Sequence, residues 1–358
     1  MEMELPKMNI SQPRIARRVV LGLGLLALAA ADGLAATMEI VRLSPTMIIV
    51  QEGRGRTFAL NSARGIVVID TRASAADMRT AKVLIEAEFK RQDYAFVINT
   101  HDHWEHVAGN GVFEPRFIVG HAGIHEGQEQ DKPRQHDVQS RLTQEIAKEQ
   151  QILAGLEKVS PAYQTSAEKI ADGLEALETL RTGIVEPAIT FNDRLTLDLG
   201  DRTVRLIYFG KGHSHSDILV HIPEEKVLLT GGACSLAKLP PPFQAWAGTM
   251  EVARWIEVLS EFVDSGIELT HIIPGHAPPL SPADLKFIRD YDRELWLGLN
   301  EALRDGLTLD AVKSRFALPT RFADWDRLAN PTDEVVRQHT GNLERLWALL
   351  VGAPATKS

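Results

Sequence analysis

Thr100-His101-Asp102-His103-Trp104-Glu105-His106 places three histidines and two carboxylates within seven residues, directly after the apolar run Tyr94 to Ile98. A strand ending Phe96-Val97-Ile98 releases its backbone into a loop here, so the histidines at 101, 103 and 106 can turn inward together. Neutral imidazole and carboxylate suit zinc, and three such ligands with an open coordination position are what hydrolytic zinc requires. The competing reading is a surface turn that happens to be rich in histidine.

Two later segments bear on that choice. Phe209-Gly210-Lys211-Gly212-His213-Ser214-His215-Ser216-Asp217 leads into the strand pair Ile218 to Ile222 and Val227 to Thr230. The apolar run Thr270 to Ile273 ends in Pro274-Gly275-His276. Both place a histidine in a glycine-containing turn beside a β-rich run, where glycine allows the close backbone approach a compact ligand loop needs.

On these residues the chain resembles the metallo-β-lactamase superfamily, the αββα-sandwich metallohydrolases. That family's main motif is His-x-His-x-Asp-His, followed by single histidines in Gly-His-Thr/Ser and Pro-Gly-His turns. His101, His103 and His106 match the motif, with Glu105 at the aspartate position, and His213 and His276 match the later turns. Gly65-Ile66-Val67-Val68-Ile69-Asp70-Thr71 resembles the family's early strand with the aspartate that backs its ligands, and the likeness runs over residues about 39 to 280.

The resemblance implies an α/β fold, a four-layer αββα sandwich. It implies a first zinc held by His101, His103 and His213, and a second by Glu105, His106 and His276. It further implies a hydrolase using a metal-activated hydroxide on an ester, thioester, lactone or amide bond of a small molecule, with a true β-lactamase as the sharpest version. Glu105 is then the catalytic carboxylate, orienting or deprotonating the water and returning a proton to the leaving group. Asp70 either holds the ligand loop by hydrogen bonds or merely caps a strand end.

The chain departs from the family pattern at two positions. Glu105 is one methylene longer than aspartate, which moves its carboxylate by about 1.5 Å. Gly232 stands where many members carry an aspartate bridging two metals, so the second position should be weaker. Cys234, the only cysteine, follows two residues later. Thiolate is a good zinc ligand, but a buried apolar role is the commoner fate of a free cysteine. Asp102, Trp104, Lys211 and His215 flank the ligands as candidate substrate contacts. Lys211 could meet a carboxylate as a point charge, and His215 is expected to face solvent. Asp217 is expected to tie its turn through an Asx-type bond.

The first residues concern location. Arg14, Arg17 and Arg18 precede Val19 to Ala31, an apolar run of 13 residues, followed by Leu34-Ala35-Ala36. A bilayer span needs about 20 residues, so residues 1–36 read as a cleaved secretory signal and 37–358 as the mature chain. An uncleaved anchor is the alternative. The paired arginines fit twin-arginine export, and the expected compartment is the periplasm or the exterior. Residues 1–36 hold four basic and three acidic groups, so their removal takes the formal charge from −9 to −10. Phosphate backbones are bound by clustered Lys and Arg, so nucleic acid is not the expected partner.

Helical patterns occupy the remainder. Val138 to Leu156 and Thr165 to Leu180, separated by Pro161, predict a helical hairpin within an insertion over about 125–186, after a strand Phe117 to Gly120. Ser281-Pro282 predicts a helix start running to about Leu303, and Asp333 to Leu350 a last helix, within a C-terminal region over about 281–352. Gln338-His339 would reach the site only if that helix folded back.

Two other functions stay open. The altered carboxylate and missing bridge permit a non-catalytic metal-binding accessory protein. The fold also permits a mononuclear iron oxygenase such as a persulfide dioxygenase, against which a six-ligand set argues. Substrate identity and oligomeric state are not legible from these residues.

Overall fold

A computed structural model describes residues 38–53, 55–130, 132–236 and 250–352. The segment read as an export signal lies outside them.

The first sheet comprises β1 (Glu39–Arg42), β2 (Met47–Glu52), β3 (Gly55–Ser62), β4 (Gly65–Ile69), β5 (Tyr94–Ile98), β6 (Ile118–His121) and β7 (Ile189–Phe191), neighbours in that order. Strands β1 to β4 pair antiparallel and β4 to β7 parallel. The connections carry α1 (Ala75–Phe89), α2 (Trp104–Val107), α3 (Ile124–Gln130), α4 (Lys132–Ala154) and α5 (Pro161–Thr182). The second sheet contains β8 (Arg194–Asp198), β9 (Thr203–Tyr208), β10 (Ile218–Ile222), β11 (Val227–Gly231) and β12 (His271–Pro274), with β12 alone joined in parallel. Helices α6 (Val252–Asp264), α7 (Pro282–Arg304), α8 (Leu309–Arg315), α9 (Leu318–Arg321) and α10 (Asp333–Leu350) accompany and follow it.

Strand side chains alternate between faces, and the buried residues sort accordingly. Val67 and Ile69 of β4 meet Val220 and Leu229 of the other sheet in the central layer. Ile66 and Val68 point the other way, onto Met78, Ala81 and Ile85 of α1. Leu219, Leu228 and Ile272 face Trp255, Leu259 and Tyr291 of the C-terminal helices. The result is the four-layer α/β/β/α sandwich. Strands covered on both faces read as continuous apolar runs rather than alternating ones, which is why β4 and β10 stand out in the sequence.

The inserted hairpin is α4 and α5. Helix α4 begins six residues before the apolar periodicity does, because its first turn is polar and Pro133 is tolerated there. Strand β6 lies one residue later than the apolar run suggests. Helix α7 starts at Ser281, whose hydroxyl accepts from Asp284 N while the Asp284 carboxylate accepts from Ser281 N, a capping box. Helices α1 and α6, which the sequence reading left unassigned, cover the outer faces of the two sheets. Among the described residues no helix is long and apolar enough to cross a membrane.

Asp292, on the buried face of α7, has an oxygen with no hydrogen-bond partner among the described residues. Burial raises its pKa from 3.8 to about 8. The folded chain therefore keeps a proton that the unfolded chain releases above about pH 4, so this group's contribution is fully present below that pH and is lost as pH rises toward 8. Asp292→Asn keeps the shape and removes the charge. Urea unfolding between about pH 5 and pH 9 should show the wild type losing stability with pH and the variant losing less; parallel profiles would contradict this account of Asp292.

Candidate metal centre

The site is assembled where β4 and β5 end side by side. Asp70, immediately after β4, takes a positive φ of 62°, which aspartate adopts more readily than most residues. Its buried carboxylate accepts from Thr100 N, Thr100 Oγ1 and His106 Nδ1, each at 2.8 Å. Thr71 N donates to the carbonyl of His106 at 2.7 Å, and Ile218 N to that of Thr100 at 2.9 Å. The histidine loop is thus stitched to both sheets. Helix α2 starts just after His103, so His103 leaves extended backbone while His106 lies on the helix.

These bonds determine which ring nitrogens face the centre. The Thr100 hydroxyl gives its hydrogen to Asp70, so His101 Nδ1–H donates to Thr100 Oγ1, 2.9 Å away. His101 Nε2 is left as a buried acceptor with no hydrogen-bond partner among the described residues. Burial first, and the neighbouring histidines second, hold this imidazole far below its ordinary pKa, and it is neutral. An unsatisfied buried acceptor costs about 1–3 kcal/mol, which a bound cation removes. His106 donates through Nδ1 to Asp70 and presents Nε2 to His276 Nε2 at 2.8 Å.

Two triads result. His101, His103 and His213 form one, with ring centroids 4.4 to 5.0 Å apart. Glu105, His106 and His276 form the other, and within each triad the candidate donor atoms lie within 4.8 Å of one another. The rings of His101 and His106 lie 4.2 Å apart and join the two. Imidazole nitrogens and one carboxylate, converging in adjoining triads, fit a divalent cation of zinc's kind.

A model of the metallo-beta-lactamase superfamily matches residues 52–233, just over half of the chain. The chain belongs to that superfamily. The matched span takes in the histidine cluster and His213 and ends before His276. Two curated relatives named metallo-beta-lactamase type 2, from Bacillus sp. (strain 170) and Bacillus cereus, are each 22% identical over 219 and 220 residues. Those alignments cover 61% of this chain and 64% of theirs, so the chain spans under two thirds of the relatives' length. The stereoselective inverting sec-alkylsulfatase Pisa1 from Pseudomonas sp. superposes with a TM-score of 0.55 at 14% identity, over 88% of this chain and 50% of that one. This is a likeness of fold.

The superfamily's bridging position has a local explanation here. A Cβ on Gly232 would lie 2.0 Å from His213 Cδ2, so the His213 ring occupies the space a side chain would need. Cys234 takes no part in either triad. It is buried among Trp255, Leu259 and Tyr291, and burial pushes its thiol pKa up, away from the thiolate that binds metal.

The flanking residues divide. Trp104 opens α2 half-buried beside Glu105. Lys211 meets Glu126 of α3 at 3.1 Å, so its charge is already paired with the insertion. Asp102 turns away from the triads, its Oδ2 accepting from His215 N at 3.0 Å and Ser216 Oγ at 3.1 Å. His215 is buried rather than solvent-facing. The reason is tertiary: the entry to α3 passes over it, and a Cβ on Gly123 would come within 2.5 Å of its carbonyl. Asp217 binds Ser214 N and Ser214 Oγ, both at 2.8 Å, the turn-tying role expected of it. His339 hydrogen-bonds Tyr291 and the Phe316 carbonyl within the C-terminal helices. Thr100 was not singled out by sequence reasoning, because a hydroxyl beside a histidine run has no pattern of its own.

Two substitutions test this geometry. Asp70→Asn cannot accept all three donors in either amide orientation, and zinc affinity measured by chelator competition should fall about 10–100-fold; unchanged affinity would contradict the orienting role. Gly232→Asp should displace His213 and lower the metal content of the purified chain, whereas a gain in metal would show that the turn can open.

Proposed function

We propose that the chain is a zinc-dependent hydrolase that opens an ester, thioester, lactone or amide bond in a small molecule, with export to the periplasm or exterior inferred from residues 14–36. The observation that supports it most is the pair of adjoining triads, one of them containing a buried imidazole nitrogen, His101 Nε2, with no hydrogen-bond partner among the described residues. His101, His103 and His213 would hold one ion, and Glu105, His106 and His276 a second. Zinc in such positions supplies Lewis acidity and lowers the pKa of a water to about 7.

The chain's own residues provide the rest. Glu105, half-buried in the second triad, would take a proton at its carboxylate and return it to a leaving group. Asp70 keeps His106 in the Nδ1–H tautomer, and Thr100 does the same for His101. The Lys211–Glu126 pair fastens α3 of the insertion to the loop that carries His213.

The test uses the purified mature chain. Bound zinc and iron are measured, and a chromogenic β-lactam, an aryl ester, a secondary alkyl sulfate, a glutathione thioester and an acyl lactone are assayed in parallel. Turnover of at least one carboxylic substrate is expected, lost on chelation and restored by zinc. His101→Ala should lower metal content and reduce kcat/KM by on the order of a thousandfold or more. Full zinc loading with no turnover would replace this reading with a metal-binding protein, and stoichiometric iron with oxygen consumption would replace it with an oxygenase.

A further inference from the structure

His276 differs from the other histidines of the centre in being exposed. His101, His103 and His106 are walled in by the sandwich. Its Nε2 meets His106 Nε2 at 2.8 Å, and the backbone of its turn sets where the ring can sit to do so. That turn, Pro274-Gly275-His276-Ala277-Pro278-Pro279, is poor in donors, because its three prolines carry no N–H. It cannot satisfy its own carbonyls in the way an ordinary turn does. Gly275 N bonds to the carbonyl of Gly231 at 2.8 Å, and Leu280 N returns to that of Ile272 at 2.8 Å. The carbonyls on either side of Gly275-His276 take their donor from a distant strand.

Arg56, half-buried on β3, sends Nη1 to the carbonyl of Pro274 at 2.7 Å and to that of Ala277 at 2.6 Å. One nitrogen thus grips the residue before Gly275-His276 and the residue after. The contact spans 218 residues of sequence, so it is wholly tertiary. The structure assigns Arg56 the role of positioning residue for His276, holding the turn so that the imidazole meets His106 at the second metal position. The guanidinium touches neither triad; it acts only through the turn. Arginine suits the task because it stays charged at any working pH and one planar Nη carries two N–H groups in fixed directions, whereas a lysine ammonium has to bring its donors to the site on a flexible stem.

This assignment rests on the reading of His276 as a ligand, and the experiment separates the two. Zinc, and cobalt as a spectroscopic substitute, are titrated into the metal-free full chain against a competing chelator, for the wild type, Arg56→Met, Arg56→Lys and His276→Ala. The wild type should take up two ions. Arg56→Met should bind the first as the wild type does and the second about 10–100-fold more weakly, with changes confined to the cobalt bands of the second ion. Arg56→Lys should recover part of that loss. His276→Ala should lose the second ion.

A purely structural role for Arg56 would weaken both ions together or neither, and either result overturns the assignment. If His276→Ala loses the second ion while Arg56→Met keeps it at wild-type affinity, only the role of Arg56 falls. If His276→Ala retains it, or the wild type binds one ion, the reading of His276 falls and Arg56 with it. Should Arg56→Met not fold, Arg56→Lys carries the test: second-ion affinity equal to the wild type with His276→Ala defective overturns the assignment, and selective weakening supports it.

Discussion

The Asp70 carboxylate is the interaction on which the centre depends. It is buried at the junction of β4, the β5 exit loop and α2, and it accepts three hydrogen bonds there. Burying a carboxylate without partners costs several kcal/mol, and charge-assisted bonds to well-placed donors offset that cost. The donors are a main-chain N–H, the hydroxyl that orients His101, and the ring of His106. One side chain therefore sets the direction of a histidine in each triad, and the two positions are mechanically coupled before any ion binds.

Beyond that hub the triads are built by different means. The first is enclosed. His101 and His103 are buried, and Asp102 and Gln128 bind the histidine loop to the His213 turn and to α3. The second is half-open, with Glu105 partly exposed and His276 exposed. Enclosure orients imidazoles by packing, and burial holds His101 below its ordinary pKa. An open position lacks both effects, so it relies on backbone fixation from elements far away in sequence.

Much of this was legible in the residues. The strands β4, β5, β10 and β11 are apolar runs bounded by turn residues, and the helices α7 and α10 begin at recognisable caps, Ser281 and Thr332. The six candidate ligands came from the family resemblance, which the His-x-His-x-Glu-His cluster and the Gly-His-Ser and Pro-Gly-His turns carry. Less legible were features carried by single residues without periodicity. Thr100 and Arg56 act through hydrogen bonds to groups whose position depends on folding. The exposure of His215 was misjudged because its cover comes from the start of α3, a segment more than 80 residues earlier. Helices α1 and α6 were not read either; α1 has only a weak apolar stripe, whereas the stripe of α6, Val252, Trp255, Val258, Leu259 and Phe262, was there to be read and was passed over.

The sequence by itself determined the apolar strands and the histidine clusters at their ends, and through the resemblance these carry it implied the superfamily, the sandwich and the candidate ligand set, because ligand type and apolar runs are properties of short segments. Tertiary structure decided the rest. It determined that His213 fills the space a bridging side chain would occupy, that Cys234 belongs to the core, that Lys211 is paired across to the insertion, and that a strand arginine holds the turn of His276. Each of these depends on the separation of atoms brought together from distant parts of the chain, and hydrogen bonding, burial and steric exclusion depend on that separation rather than on the order of residues.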